Sequence, residues 1–176
     1  MRASLWITLL MSAGLMPVAA MAQPILPGLW EMRSTNMQMD GQTLPDMDVM
    51  LEKFRNLPPE QRAMMEQMMA KQGVQLGGQG VQACLSKEQI EARNIPLQDP
   101  QSGCTQQITE QSDTVWTFRF TCPQAQGQGE TRFLSDKAFV TQVSGTFVSA
   151  AGEQRGSMES HAKWIGADCG GLQPRQ

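Results

Sequence analysis

The chain has 176 residues, 40% of them hydrophobic and 18% charged, which accommodates one ordinary domain and hardly two. A formal charge of −3 lacks the basic excess that phosphates or anionic lipid surfaces attract, so no nucleic-acid partner is expected. One histidine and no tyrosine remove most of the usual acid/base and metal-ligand side chains.

The first 22 residues read as an address. Met1-Arg2 gives a positive start, Leu5 to Met16 an apolar run, Pro17 a break, and Ala20-Met21-Ala22 a small-x-small cleavage site. A run of about a dozen residues is short of the roughly 20 that cross a bilayer, so the expectation is a cleaved signal peptide, a mature chain starting at Gln23, and no membrane span. The implied compartment is the periplasm. Residues 23–176 are expected to form a single disulfide-braced β domain.

The first mature segment, Gly28 to Met37, alternates Trp30 and Met32 against Glu31 and Arg33, which is strand periodicity. From Asp46 to about Gln72 the period changes. Met50, Leu51, Phe54, Leu57, Met64, Met65, Met68 and Met69 recur at three- and four-residue spacing, within an arc of about 140° on a helical wheel. Pro58-Pro59 divides this insertion into two short helices, the second started by the prolines and Glu60. Gly73 to Gly80, with four glycines, is expected to be a flexible return to the sheet.

Gly80 to Leu85 reads as the second strand, and Ser86 to Gln89 as a capping box that opens a short helix ending near Asn94-Ile95-Pro96. Period-two alternation then marks Cys104–Glu110, Thr114–Cys122, Gln126–Leu134, Ala138–Ser149 and, from about Gln154, a run to Ile165, with separators of hairpin length. Trp116, Phe118, Phe120 and Cys122 share one face, as do Met158, Ala162 and Trp164. Gly127, Gly129 and Gly145 fall on the same inward side, where a missing side chain permits curvature or leaves space opposite a large ring.

The expected fold is therefore mainly β: an antiparallel meander of about seven strands, strongly curved or a partly closed barrel. A Met-rich helical insertion (about 46–72) lies across one opening, and a short helix lies between the first two cysteines.

All four cysteines follow the leader, and an exported chain favours two disulfides. Of three connectivities, Cys84 with Cys104 and Cys122 with Cys169 is expected, because the first encloses a short helical excursion and the second ties a mid-sheet strand to the C-terminal tail. No Cys-x-x-Cys spacing points to zinc or redox chemistry.

These marks occur in a recognisable order. A mature start of Pro27-Gly28-Leu29-Trp30-Glu31 is followed by Met-rich residues, Cys84-Leu85-Ser86, Gly103-Cys104, an aromatic strand ending at Cys122, and a terminal Gly166-x-x-Cys169. In this the chain resembles the domain of unknown function 3617 family over nearly its whole mature length. The resemblance implies a small exported bacterial protein without an assigned activity. The helical stretch Asp46 to Gln72 departs from the spare form of that family. Gly28-x-Trp30 also resembles the first-strand signature of lipocalins, in which the tryptophan closes the barrel floor, although their other signature segments are absent.

The candidate functional residues are the aromatic face and the methionine stripe. Trp30, Trp116, Phe118 and Phe120, covered by Met64, Met65, Met68 and Met69, would enclose a groove for an apolar small molecule, a lipid or an exported polypeptide segment. The same stripe serves equally as plain lid packing, which would leave a purely structural or envelope-interaction protein. A third reading takes the four thioethers, on adjacent turns of one helix, as Cu(I) ligands. His161 is expected on an outward face between Glu159 and Lys163, with no nucleophile arranged beside it, so no catalytic residue and no resident cofactor are expected. Asp40, Asp46 and Asp48 lack the EF-hand register and read as turn and helix-start residues.

Overall fold

The computed structural model describes residues 25–91, 103–150 and 152–174. The expected leader (1–22) and the expected helix end at Asn94-Ile95-Pro96 lie outside the described residues.

Alternating apolar positions build one antiparallel sheet of nine strands: β1 (Gly28–Met39), β2 (Gln42–Thr43), β3 (Val74–Leu76), β4 (Val81–Leu85), β5 (Thr105–Gln111), β6 (Val115–Cys122), β7 (Ala125–Ser135), β8 (Ala138–Ser149) and β9 (Gly152–Gly166). The order across the sheet is β3-β4-β1-β9-β8-β7-β6-β5, with β2 added to the far end of β1. β5 to β9 form the expected meander, each strand hydrogen-bonded to the next. The sheet does not close, since β3 and β5 remain edges. It is strongly curved all the same, because both edge strands contribute side chains to one cavity, Val74 from β3 and Ile108 from β5.

All seven expected strands are present. The two additional ones, β2 and β3, are two and three residues long, too short for a period to show in the sequence. The Gly73–Gly80 stretch, expected to be flexible, is a hairpin arm instead. Gly73 turns the chain at φ 69°. Buried Val74 then pairs with Ala83, and the Gly77 amide donates to the Gly80 carbonyl at 2.8 Å.

The expected disulfide pairing is corrected: the bridges are Cys84–Cys169 and Cys104–Cys122, not Cys84 with Cys104 and Cys122 with Cys169. Sheet order supplies the reason. Leu29 of β1 pairs with Cys84 on one side and Gly166 on the other, so the tail leaving β9 has only one strand to cross before it meets Cys84. Thr105 pairs with Thr121, which sets the flanking Cys104 and Cys122 side by side at a Cα separation of 4.0 Å.

Three helices are described: α1 (Met47–Arg55), α2 (Pro59–Lys71) and α3 (Lys87–Glu91). Pro59 stands in the first turn of α2, with Glu60 beside it, where a missing amide hydrogen costs nothing. The capping box of α3 forms in both directions. The Gln89 amide donates to Ser86 Oγ at 3.2 Å, and the Ser86 amide donates to Gln89 Oε1 at 2.8 Å. Ile90 is thereby pressed into the core cluster.

The expected lid does not lie across the sheet. α2 buries no residue, and Met64, Met65 and Met68 are exposed. Only Met69 and Gln72, at its C-terminal end, reach the concave side. Two residues link Lys71 to Val74, so the end of α2 is pinned beside edge strand β3, its contact in the sheet. α1 takes the inner position. β4 pairs with β1 only from Gly28 to Met32 and β2 only at Gln38 and Met39, and α1 contacts β1 near this gap. Leu51 is buried there, and Asp48 pairs with Arg33.

Candidate functional site

The inward residues of the sheet fall into rows that run across the strands, and each row has its own chemistry. At one end Phe133, Phe139, Ala162 and Met32 stand opposite one another on β7, β8, β9 and β1. They pack with Ile25, Trp30, Leu85, Ile90 and Trp116 into the core. Trp30 is completely buried, its ring 5.0 Å from Phe139, and its Nε1 donates to the Leu26 carbonyl at 3.0 Å. Trp116 meets Phe133 edge-on at 4.8 Å and donates from Nε1 to the Ser112 carbonyl. Ring packing satisfies both apolar bodies and polar tips, and this end is filled.

The next row is polar. Thr131 pairs with Thr141, Thr141 with Ser160, and Ser160 with Ser34, so four hydroxyl side chains cross four adjacent strands in register. Thr131 and Thr141 are buried and share a hydrogen bond of 2.9 Å between their hydroxyls.

Beyond it the residues shrink. Phe118, Gly129, Val143 and Met158 form one row, and Phe120, Gly127, Gly145, Gly156 and Met39 the next. The phenylalanine rings occupy the space above the glycines. A Cβ on Gly129 would collide with the ring of Phe118, one on Gly127 would stand 2.8 Å from Phe120 Cζ, and one on Gly156 would stand 3.0 Å from Phe147 Cε2. Gly127 and Gly145 also face each other so closely that a Cβ on either would strike the opposite backbone. The missing side chains permit the bend and the close approach of rings and backbone.

Two chambers result. The first, about 360 Å³, is walled by Met32, Ile108, Trp116, Phe118 and Phe139 and by the hydroxyl row, with Met47 of α1 and Met69 of α2 at its rim. The second, about 370 Å³, is walled by Met37, Met39, Leu44, Phe120, Phe147 and the Cys104–Cys122 bridge. Val143 and Met158 belong to both chambers, and no charged side chain lines either one.

The structure thus brings together part of the expected site. Trp116, Phe118 and Met69 line the first chamber and Phe120 the second. Trp30 lies in the filled core and borders neither. Met64, Met65 and Met68 are exposed whereas Met69 is half-buried, so the four sulfurs named for Cu(I) differ in their burial. Sequence reasoning passed over the hydroxyl row, although a signal existed: Thr131, Thr141 and Ser160 interrupt inward positions that are otherwise apolar or glycine.

The family model described as Protein of unknown function (DUF3617) matches residues 25–169. The chain belongs to the DUF3617 family. The DUF3617 match runs from Ile25, in the filled core, to Cys169, and so takes in every strand, both chambers and both disulfides. The chain is similar to an uncharacterized protein in the lpd-3 5′ region of Pseudomonas putida, with 60% identity over 116 residues, covering 66% of this chain and 82% of that relative. No solved structure matches it.

The opposite face of the sheet is polar. Arg119, Gln128, Glu130, Gln142, Ser144 and Glu159 line a broad groove of about 690 Å³ there. Glu159 accepts from Gln142 Nε2 at 2.8 Å, and its other oxygen lies 2.7 Å from His161 Nε2. The Gln142 bond first, and the His161 bond second, hold the Glu159 carboxyl below its ordinary value. His161 itself is exposed. Among the described residues no group of three or more His, Cys, Asp or Glu side chains is placed to hold a metal ion. Asp40 accepts from the Arg155 amide at 2.8 Å, and Asp46 precedes α1, which are turn and helix-start roles.

Proposed function

We propose that the chain is exported after removal of residues 1–22 and acts in the periplasm, without catalysis, as a binding module that holds an apolar small molecule or lipid in its trough. One observation carries this reading: side chains from β1 and from β3 to β9 converge on a chamber of about 360 Å³ that has a largely apolar wall, a few hydroxyls, the glutamines Gln72 and Gln106, and no charge. That is the size and lining of a small-molecule site. An exported polypeptide segment fits less well, because its amides would need partners that the Met- and Phe-lined second chamber does not offer. Two disulfides agree with an oxidising compartment. Among the described residues no helix is long and apolar enough to cross a membrane.

The test is native mass spectrometry of the full-length gene product recovered from a periplasmic extract, followed by organic extraction of the same sample. The expected result is a polypeptide beginning at Gln23 that carries a stoichiometric apolar adduct. Protein that is reproducibly empty and does not bind N-phenyl-1-naphthylamine, an uncharged dye that brightens in apolar sites, would overturn the reading.

A further inference from the structure

The four hydroxyls of the trough give its occupant a more definite chemistry. The row of Thr131, Thr141, Ser160 and Ser34 stands out in a largely apolar chamber whose other polar lining is Gln72 and Gln106, and the two buried threonines give up hydrogen bonds to water. The Thr131–Thr141 bond uses one donor of that pair and leaves the other hydroxyl hydrogen, with further lone pairs, available along the row. Ser34 and Ser160 make no side-chain hydrogen bond among the described residues. Four strands at about 4.8 Å spacing make the row roughly 14 Å long, which gives a guest several adjacent positions for a polar group.

Charge sets the second constraint. The chamber walls carry no Lys, Arg, His, Asp or Glu, so a carboxylate or ammonium group drawn into them would lose its hydration without a counter-ion. Hydroxyls bond an uncharged carbonyl, ester or alcohol at little such cost. On the far side of Val143 and Met158 the second chamber is lined by Met37, Met39, Phe120 and Phe147, where flexible thioethers and rings suit a hydrocarbon chain.

We propose that the ligand is an uncharged amphiphile whose ester, carbonyl or alcohol group sits on the Thr131–Thr141–Ser160–Ser34 row while its hydrocarbon chain passes Val143 and Met158 into the second chamber. This inference rests on the binding reading above, and its test separates the two.

The mature, delipidated protein is loaded with N-phenyl-1-naphthylamine and competed with four molecules of equal chain length: methyl decanoate, decan-1-ol, decanoate and decylammonium, at neutral pH. The two uncharged competitors are expected to displace the dye at concentrations at least about tenfold below the two ions. In the Thr131→Val/Thr141→Val variant the advantage of methyl decanoate over decanoate, each measured against the dye affinity of that same variant, should fall by about three- to tenfold, and the fold should persist by circular dichroism, because a buried hydroxyl pair replaced by methyl groups of the same shape leaves no orphaned partner. Should that variant fail to fold, Ser34→Ala/Ser160→Ala carries the same expectation.

Equal or tighter binding of decanoate or decylammonium would overturn the proposal, as would variants of both pairs that leave the ranking unchanged. Either result would leave the apolar cavity standing. A wild-type protein that binds neither dye nor competitor would instead remove the cavity reading and this one with it.

Discussion

The two ends of the concave face are built by the same strands with the same alternation, yet one is filled and the other hollow. At the filled end the rings of Trp30, Trp116, Phe133 and Phe139 pack around Met32 and the small Ala162. A few residues further along the same strands, Gly127, Gly129, Gly145 and Gly156 withdraw side chains, and Phe118, Phe120 and Phe147 settle into the room they leave. The contrast shows that whether such a sheet encloses a core or a container is decided row by row, by residue volume across strands. Hydrophobicity along a strand does not decide it.

The bridges offer the strongest way to break this contrast. Cys84–Cys169 adjoins the filled end and spans 85 residues, whereas Cys104–Cys122 borders the second chamber and spans 18. In the loop-entropy model the first stabilises by about 4.6 kcal/mol and the second by about 3 kcal/mol. Urea unfolding of Cys84→Ser/Cys169→Ser should therefore show the greater loss, and a greater loss in Cys104→Ser/Cys122→Ser would place the weight of the fold at the hollow end.

A smaller effect is expected in the glycine row. Gly127→Ala puts a methyl group against the Ser144 carbonyl, which is backbone and can yield only if the bend relaxes. A destabilisation of about 2 kcal/mol follows, with reduced dye uptake. A neutral outcome would mean that the bend does not depend on close approach at that point. The smallest effect belongs to the helix: Met64→Gln/Met68→Gln should change stability by no more than about 0.5 kcal/mol, because both side chains are exposed. A loss several times larger in the same urea titration would return α2 to the role of a packed cover.

The sequence carried the local decisions well. Period-two runs located six of the seven longer strands, Pro58-Pro59 divided the helices, and Ser86 to Gln89 forecast a cap that forms in both directions. Those signals act over a few residues and are decided by sterics and hydrogen bonding close at hand. The bridge pairing was not legible because it depends on β1 lying between β4 and β9, a non-local fact that no residue near Cys84 or Cys169 encodes. The position of α2 was missed for a related reason. An apolar arc states that a surface exists, and the two-residue link to β3 dictates where it points. The candidate site was half legible. Alternation assigned Phe118, Phe120 and the glycines to the inward side, but only strand register turns Ser34, Thr131, Thr141 and Ser160 into a line.

The unclosed sheet carries a liability of its own, since free strand borders can recruit other chains into fibrils. Here both borders are poor templates. β3 is three residues long, and β5 changes register between Ile108 and Glu110, so neither presents a long, regular ladder of amides. An open seam can thus persist without seeding aggregation, a safeguard that a sealed cylinder would not need.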